Sequence, residues 1–481
     1  MTSRASVVVV GGGVAGLAAA WELSGGARPG ADPPRIELLE ATARVGGPLA
    51  VGPLGDQEID LGPDGFLARR PEATTLVAEL GWEDRLIAIA TSGASLWLHG
   101  ALHAIPRGLA VGVPTSSAVL AELGGLSWRA RAAAWRDHWM PRPLHVGEDE
   151  SIGRIVRAKL GDEIALRVVE PLIGGIQAGR IDDLSAALVF PPLLAAARRG
   201  GSLMRALAPP PANGSAPAPA PGPAFRSVRG GLGTVPDEVV RQLRDRGVVV
   251  RTGTPVQAVR RVSGEHPLVV ETATTATPAD VVVVATPAPR AAQLLGAFDP
   301  DLAALATIAH ASAAMVNAQY RASELALPPG TGVLVPLATP WTGEGSLMVT
   351  ALTFLDRKWE PLRREGTVLV RAHVGRIDDQ RYAALDDGAL AERVASEVAL
   401  LLGSAARPVA TRVQRFAAGL PQYRVGYADL VARARTAADR LGVDLAGSAY
   451  DGVGIPASIG SGRQAARSAL ARLGARAASH A

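Results

Sequence analysis

Residues 7–10 are four consecutive valines, and a short β-branched run of that kind predicts a strand buried in a parallel sheet. Residues 11–16 then turn the chain, and 14–23 continue as an Ala-rich helix. A loop dense in Gly and Pro spans 25–34, and 35–39 predict a second strand that ends at Glu40. These pieces make one β-α-β unit. From 118 to 207 the pattern turns helical, with long Ala, Leu and Arg stretches. Residues 208–223 (APPPANGSAPAPAPGP) hold no packing side chains, and their prolines favour an extended, solvated linker. Beyond it, 248–250 and 281–285 predict strands on either side of a more polar stretch. Strands at 315–320, 332–336, 346–354 and 367–374 suggest a second sheet, mixed or antiparallel, followed by a helix at 390–402. The chain closes with a strand at 444–449, a Gly-rich turn, and a helix from about 457 to 473. Ala466, Leu470 and Leu473 share one face of that helix. There is no internal repeat.

Composition narrows the picture. At 481 residues, 48% hydrophobic and 20% charged, the chain is globular and long enough for two or three subdomains. The formal net charge is +4, but the cations are scattered and only Lys159 and Lys358 are lysines. No basic block with interleaved aromatics appears, which argues against nucleic acid as a partner. A mild positive field suits an anionic substrate or an anionic membrane surface. The absence of Cys excludes disulfides, thiolate nucleophiles and Cys-ligated metal. Arg4 and the apolar stretch after it resemble a signal peptide, but three consecutive glycines within it favour a strand–turn–helix. No apolar run reaches transmembrane length, so the expected location is the cytoplasm, with room for peripheral membrane contact.

The candidate chemistry lies in the glycines. Gly11-x-Gly13-x-x-Gly16 follows a strand and opens a helix, as a dinucleotide site requires. Gly11 permits the turn, Gly13 leaves room for a pyrophosphate at the backbone, and Gly16 lets helix and strand pack closely. Gly12, Val14 and Ala15 complete the loop, whose helix N-terminus offers free N–H groups and a positive dipole end. Glu40 closes the second strand, where a carboxylate can accept from a ribose. On this motif alone the ligand could be NAD or FAD. Two further segments choose FAD. Arg44-Val45-Gly46-Gly47 supplies a second loop for the pyrophosphate, and Gly452-Val453-Gly454-Ile455-Pro456 opens the last helix, whose N-terminus can face a flavin's N1–C2=O edge.

Through these motifs the chain resembles the bacterial protoporphyrinogen/coproporphyrinogen III oxidase family, within the flavin-containing amine oxidase superfamily. The likeness runs nearly end to end, through Leu39-Glu40-Ala41, Gly62-Pro63-Asp64-Gly65-Phe66-Leu67 and Leu102-His103-Ala104-Ile105-Pro106. It continues through Glu170-Pro171-Leu172, Gly175-Ile176-Gln177-Ala178-Gly179, Gly230-Gly231-Leu232, Lys358-Trp359, Leu420-Pro421-Gln422-Tyr423 and Gly426.

The resemblance implies a six-electron oxidation of a porphyrinogen in haem biosynthesis. Three hydrides would pass to flavin N5, and molecular oxygen would be reduced to hydrogen peroxide. Coproporphyrinogen III is the expected substrate, with protoporphyrinogen IX, another superfamily oxidation such as that of an amine, and non-catalytic FAD binding as alternatives. Family position puts adenosine and phosphate contacts on Gly11, Gly13, Gly16, Glu40 and Ala41, and runs Gly62, Pro63, Asp64 and Gly65 beside the flavin ring. Val256 falls on the adenine side, and Phe416 stands where the family often has Trp. The substrate's propionates need cations, and Arg69 and Arg70 are the nearest candidates. Gly174 and Gly175 would let a flat macrocycle approach the backbone. No catalytic side chain and no metal are expected. His99, His103, His138 and His145 are read as structural or surface residues. The sequence departs from the family at Pro48, Gln177 and Ala457-Ser458.

The expected class is α/β: a Rossmann-type FAD-binding domain, a second mixed-sheet substrate domain and a helical insertion. FAD-binding parts are placed at 1–84, 226–292 and 437–481, and substrate-domain parts at 85–112 and 293–436. The helical insertion takes 113–207 and the Pro/Ala-rich loop 208–225.

Overall fold

The computed structural model describes residues 4–25, 33–209, 222–264, 266–337, 339–341 and 345–480. The Pro-rich stretch at 210–221, and with it most of the expected linker, lies outside them.

The valine run does become the centre of a parallel sheet. Its five strands lie in the order Val249–Arg251, Arg35–Leu39, Ser6–Val10, Val281–Val284, Val443–Leu445. The pairing is parallel throughout, with Val8 opposite both Glu37 and Val282. Val7, Val8 and Val9 are fully buried because helices cover both faces. On one face pack Val14–Leu23, Val235–Asp245 and the last helix, Ile455–His480. On the other pack Ala288–Leu295 and Tyr427–Leu441. First and last helices touch closely: a Cβ on Gly462 would stand 2.0 Å from the Ala15 carbonyl oxygen.

The second sheet has seven strands, in the order Ala410–Pro421, His310–Arg321, Thr367–Val374, Val349–Phe354, Gly332–Leu334, Ser95–Leu98, Ala101–Ala104. Only the Gly332–Leu334 and Ser95–Leu98 pair is parallel, so the sheet is mixed. Helix Asp387–Leu402 covers it through Leu390, Val394, Val398 and Leu401.

The insertion runs from Ser117–Glu122 to Leu203–Ala206 with a core of its own. It is fastened to the second sheet by a buried carboxylate. Glu170 is fully buried, and Arg376 donates to it at 2.5 Å. The Ile181 N–H donates to its other oxygen at 3.0 Å.

One expected strand is shorter than its sequence suggests, and one strand was not expected at all. The strand expected at 444–449 stops at Leu445, and Ser448–Asp451 is a helical turn, because Gly447 takes φ +126° and ends the extended run. The strand Ala410–Pro421 escaped the sequence reading: Arg412, Gln414 and Arg415 mask its alternation.

Candidate active site

The glycine loop does three different physical jobs. Gly11 has φ +107°, and a Cβ there would meet the Ala285 carbonyl oxygen at 2.6 Å. A Cβ on Gly16 would lie 1.8 Å from the Gly11 carbonyl oxygen, so Gly16 sets the strand–helix approach. Gly13 is different: a Cβ there would have no protein atom within 4 Å. It faces open space at the N-terminus of the Val14–Leu23 helix, where a pyrophosphate fits and a side chain would intrude.

The second glycine pair lies on the first. The Gly46 N–H donates to the Gly12 carbonyl at 2.8 Å, and Gly47, at φ +59°, faces the Gly13 Cα. Arg44 wraps this loop, donating to the carbonyls of Leu49 at 2.8 Å and Gly47 at 2.6 Å. A guanidinium thus stands in the loop beside Pro48. Glu40 braces the cradle: it accepts from the Gly12 N–H at 2.7 Å, and from the N–H and hydroxyl of Thr42 at 2.8 and 2.7 Å. Ala41 beside it is exposed.

The C-terminal turn reaches the same place. Gly452 and Gly454 take φ +114° and +101°, and the last helix begins at Ile455. Val14, Leu49, Phe66 and Ile455 line one apolar cavity, so both helix starts, the second glycine loop and the 62–67 segment converge. Val453, beside that turn, packs against the apolar cluster on the sheet's other face. Val256 belongs to that cluster as well and is buried, so any cofactor contact falls to its backbone.

Residues 62–65 form the seam between the two sheets. A Cβ on Gly62 would strike the Pro48 carbonyl oxygen at 2.1 Å and approach Phe416 at 3.5 Å. A Cβ on Gly65 would strike the Trp359 ring at 2.7 Å. Pro63, half-buried, lies between Gly62 and Asp64. Asp64 accepts from Lys358 Nζ at 2.9 Å and from Trp359 Nε1 at 2.9 Å. Arg371, fully buried on Thr367–Val374, donates to the Gly62 carbonyl at 2.8 Å and to the Asp60 carbonyl, and lies 3.9 Å from Asp64. Burial works to raise the Asp64 carboxyl, but Lys358 and Arg371 outweigh it and hold the group well below the usual carboxylate range. Burial pushes Asp60 up to about 6, against hydrogen bonds from the Gly233 and Leu232 N–H groups. His373, two residues along the strand, is lowered to about 4 by burial and by the Arg371 charge.

The sequence reading missed Arg371 and His373. Polar residues in an otherwise apolar strand, V-L-V-R-A-H-V, were the available signal.

The substrate candidates fare unequally. Arg69 is exposed and has no charged partner among the described residues, whereas Arg70 is held by Glu72 at 2.6 Å. Gly175 is exposed, with nothing within 4 Å of a Cβ, and adjoins Ile176, 63% exposed. Gly174 is corrected: it is buried, and its Cβ would meet Arg376 at 2.8 Å, so its bareness serves that guanidinium.

The pattern of the flavin containing amine oxidoreductase family matches residues 14–470. The chain belongs to that family. It is an FAD-dependent oxidoreductase, and the glycine cradle fits its cofactor. Coproporphyrinogen III oxidase of Mycobacterium tuberculosis is 34% identical, over 99% of this chain and 100% of its own length. The Bacillus subtilis enzyme of the same name is 30% identical over 97% and 98%. Human protoporphyrinogen oxidase is 31% identical over 97% and 98%. A crystal structure from Exiguobacterium sp. 255-15 superposes with a TM-score of 0.84 at 29% identity, covering 98% of this chain and all of that one. Cyclohexylamine oxidase from Brevibacterium oxydans shares the fold at TM-score 0.65 and 15% identity, covering 98% of this chain and 100% of its own. Among the described residues no His/Asp/Glu group could hold a metal, and no helix is long and apolar enough to cross a membrane.

Proposed function

We propose that this flavoenzyme oxidises coproporphyrinogen III to coproporphyrin III in haem biosynthesis, with molecular oxygen as final acceptor. The observation that carries the reading is full-length similarity, at 30–34% identity, to bacterial proteins named coproporphyrinogen III oxidase. The flavin, when bound, supplies the hydride acceptor. The protein supplies position and charge. The glycine cradle holds the pyrophosphate, and residues 62–65 lie beside the ring, anchored by Lys358, Trp359 and Arg371. Gly175 offers bare backbone to a flat macrocycle, and Arg69 an exposed guanidinium to a propionate. Amine oxidation in the superfamily commonly uses a Lys near the flavin. Here Lys358 is bound to Asp64, which favours the porphyrinogen reading.

Anaerobic flavin reduction by coproporphyrinogen III and by protoporphyrinogen IX tests this. Coproporphyrinogen should reduce the flavin faster; a preference for protoporphyrinogen would shift the assignment to that substrate. We also propose that the protein touches membranes peripherally, in keeping with its net charge of +4.

A further inference from the structure

Gly447, Gly452 and Gly454, at φ +126°, +114° and +101°, bracket the helical turn Ser448–Asp451 just before the last helix begins at Ile455. Such a backbone does not fix its own direction, because glycine moves freely through conformations that other residues avoid. The direction in which the last helix presents its first turn must therefore be set by side chains.

Five hydrogen bonds do this. Tyr427, the first residue of the helix Tyr427–Leu441, donates its hydroxyl to the Ala449 carbonyl at 2.7 Å. Tyr423, just before that helix, donates to the Ser448 carbonyl. The two rings are buried and stand edge to face, with centroids 5.0 Å apart. Burial pushes both phenols up, so each hydroxyl stays a donor at neutral pH. From the last helix, Ser461 accepts from the Gly447 N–H at 2.9 Å and donates to the Asp451 carboxylate. Arg435 holds the same carboxylate at 2.6 Å.

Filling space would need none of these polar groups, since Tyr450 and Val453 already pack the turn against the apolar cluster on that face of the sheet. Hydrogen bonds weaken steeply as they bend, so hydroxyls aimed at two successive carbonyls fix an angle. Angle matters at a helix N-terminus. It carries roughly half a positive charge, whose pull on an anion fades within the first turn. A small swing of the last helix would change how well it stabilises the negative charge that a flavin gains on reduction.

We propose that Tyr423, Tyr427 and Ser461 are positioning residues that aim the last helix at the flavin and so set its reduction potential. This rests on the placement of Gly452–Ile455 at the flavin's N1–C2=O edge and names the groups that hold that turn in register.

The test is the midpoint potential of the bound flavin, measured by redox titration of the FAD-loaded protein. Tyr423→Phe, Tyr427→Phe, Ser461→Ala and the triple variant change no formal charge, so a shifted potential reports geometry. The triple variant should favour reduced over oxidised flavin roughly tenfold less than the parent, a fall of about 30 mV for a two-electron couple. Each single variant should shift the same way by less, which keeps the test open if the triple variant releases its flavin. Ser458→Glu, a carboxylate in the first turn of the last helix, should lower the potential as well. If Ser458→Glu leaves the potential unchanged, the turn does not face the flavin, and the placement falls with the proposal. If Ser458→Glu lowers it while the neutral variants keep the parent potential and lose only thermal midpoint, their bonds serve folding alone. The placement then stands and the proposal is overturned.

Discussion

Asp64 and Lys358 lie 294 residues apart in sequence, yet the Lys358 ammonium donates to both Asp64 carboxylate oxygens, at 2.9 and 3.2 Å. Each side chain is mostly buried, at 13% and 16% exposure. The pair joins the segment beside the glycine cradle to the end of the Val349–Phe354 strand, and so fixes the distance between the two halves of the site.

Asp64→Asn should therefore be costly. It leaves Lys358 without its counter-charge and removes one of the two carboxylates near Arg371, and stranding a buried charge costs about 3 kcal/mol. Denaturant unfolding should show that loss, and Asp64→Asn/Lys358→Met should recover part of it. A single variant as stable as its parent would mean that water already serves these cations.

The glycines make a contrast that separates folding from cofactor binding. A Cβ at Gly13 meets no protein atom within 4 Å, so the Gly13→Val apoprotein should keep its thermal midpoint while flavin absorbance disappears. Gly16→Val drives a side chain into the Gly11 carbonyl and should lower the midpoint as well. Full flavin occupancy in Gly13→Val would remove the pyrophosphate from this loop.

The arginines at the rim should also differ. Among the described residues Arg69 has no charged partner, whereas Arg70 is paired with Glu72. Arg69→Ala should raise KM for coproporphyrinogen, with roughly tenfold loss in kcat/KM, since a charge-assisted hydrogen bond is worth about 1.5–3 kcal/mol. Arg70→Ala should do less. Equal, unchanged kinetics in both variants and in the double variant would return the pair to solvent.

Local signals carried much of this. The 7–10 valines, the glycine loop and Glu40 are each legible because strand, turn and carboxylate follow one another within one β-α-β unit. Strand Thr367–Val374 is likewise readable from its own residues. The seam was not. Arg371 reads only as an oddity in an apolar strand, since the carbonyls it serves belong to Gly62 and Asp60, about three hundred residues earlier. Gly174 shows the opposite failure: a bare glycine invites a ligand on paper, while Arg376 fills the space from another element.

The same seam should leave a mark on pH dependence. Asp60 titrates at about 6 in the folded protein, above its ordinary 3.8. The native state then holds a proton that the unfolded chain has lost, so this contribution is complete below 3.8 and disappears as pH rises through 6. His373 runs the other way, from an ordinary 6.5 down to about 4. Its contribution is present above 6.5 and lost as pH falls through 4. Arg371 and Lys358 both oppose its protonation, and Asp64 favours it. Between about pH 4 and 6 the two slopes oppose each other in the parent protein. The stability difference between parent and Asp60→Asn should therefore shrink as pH rises across that window, by about 2 kcal/mol. For His373→Gln it should grow, by a similar or smaller amount because the residue is only partly buried. Unfolding free energies measured at half-unit pH steps decide it: two parallel curves would show that neither group titrates differently in the fold.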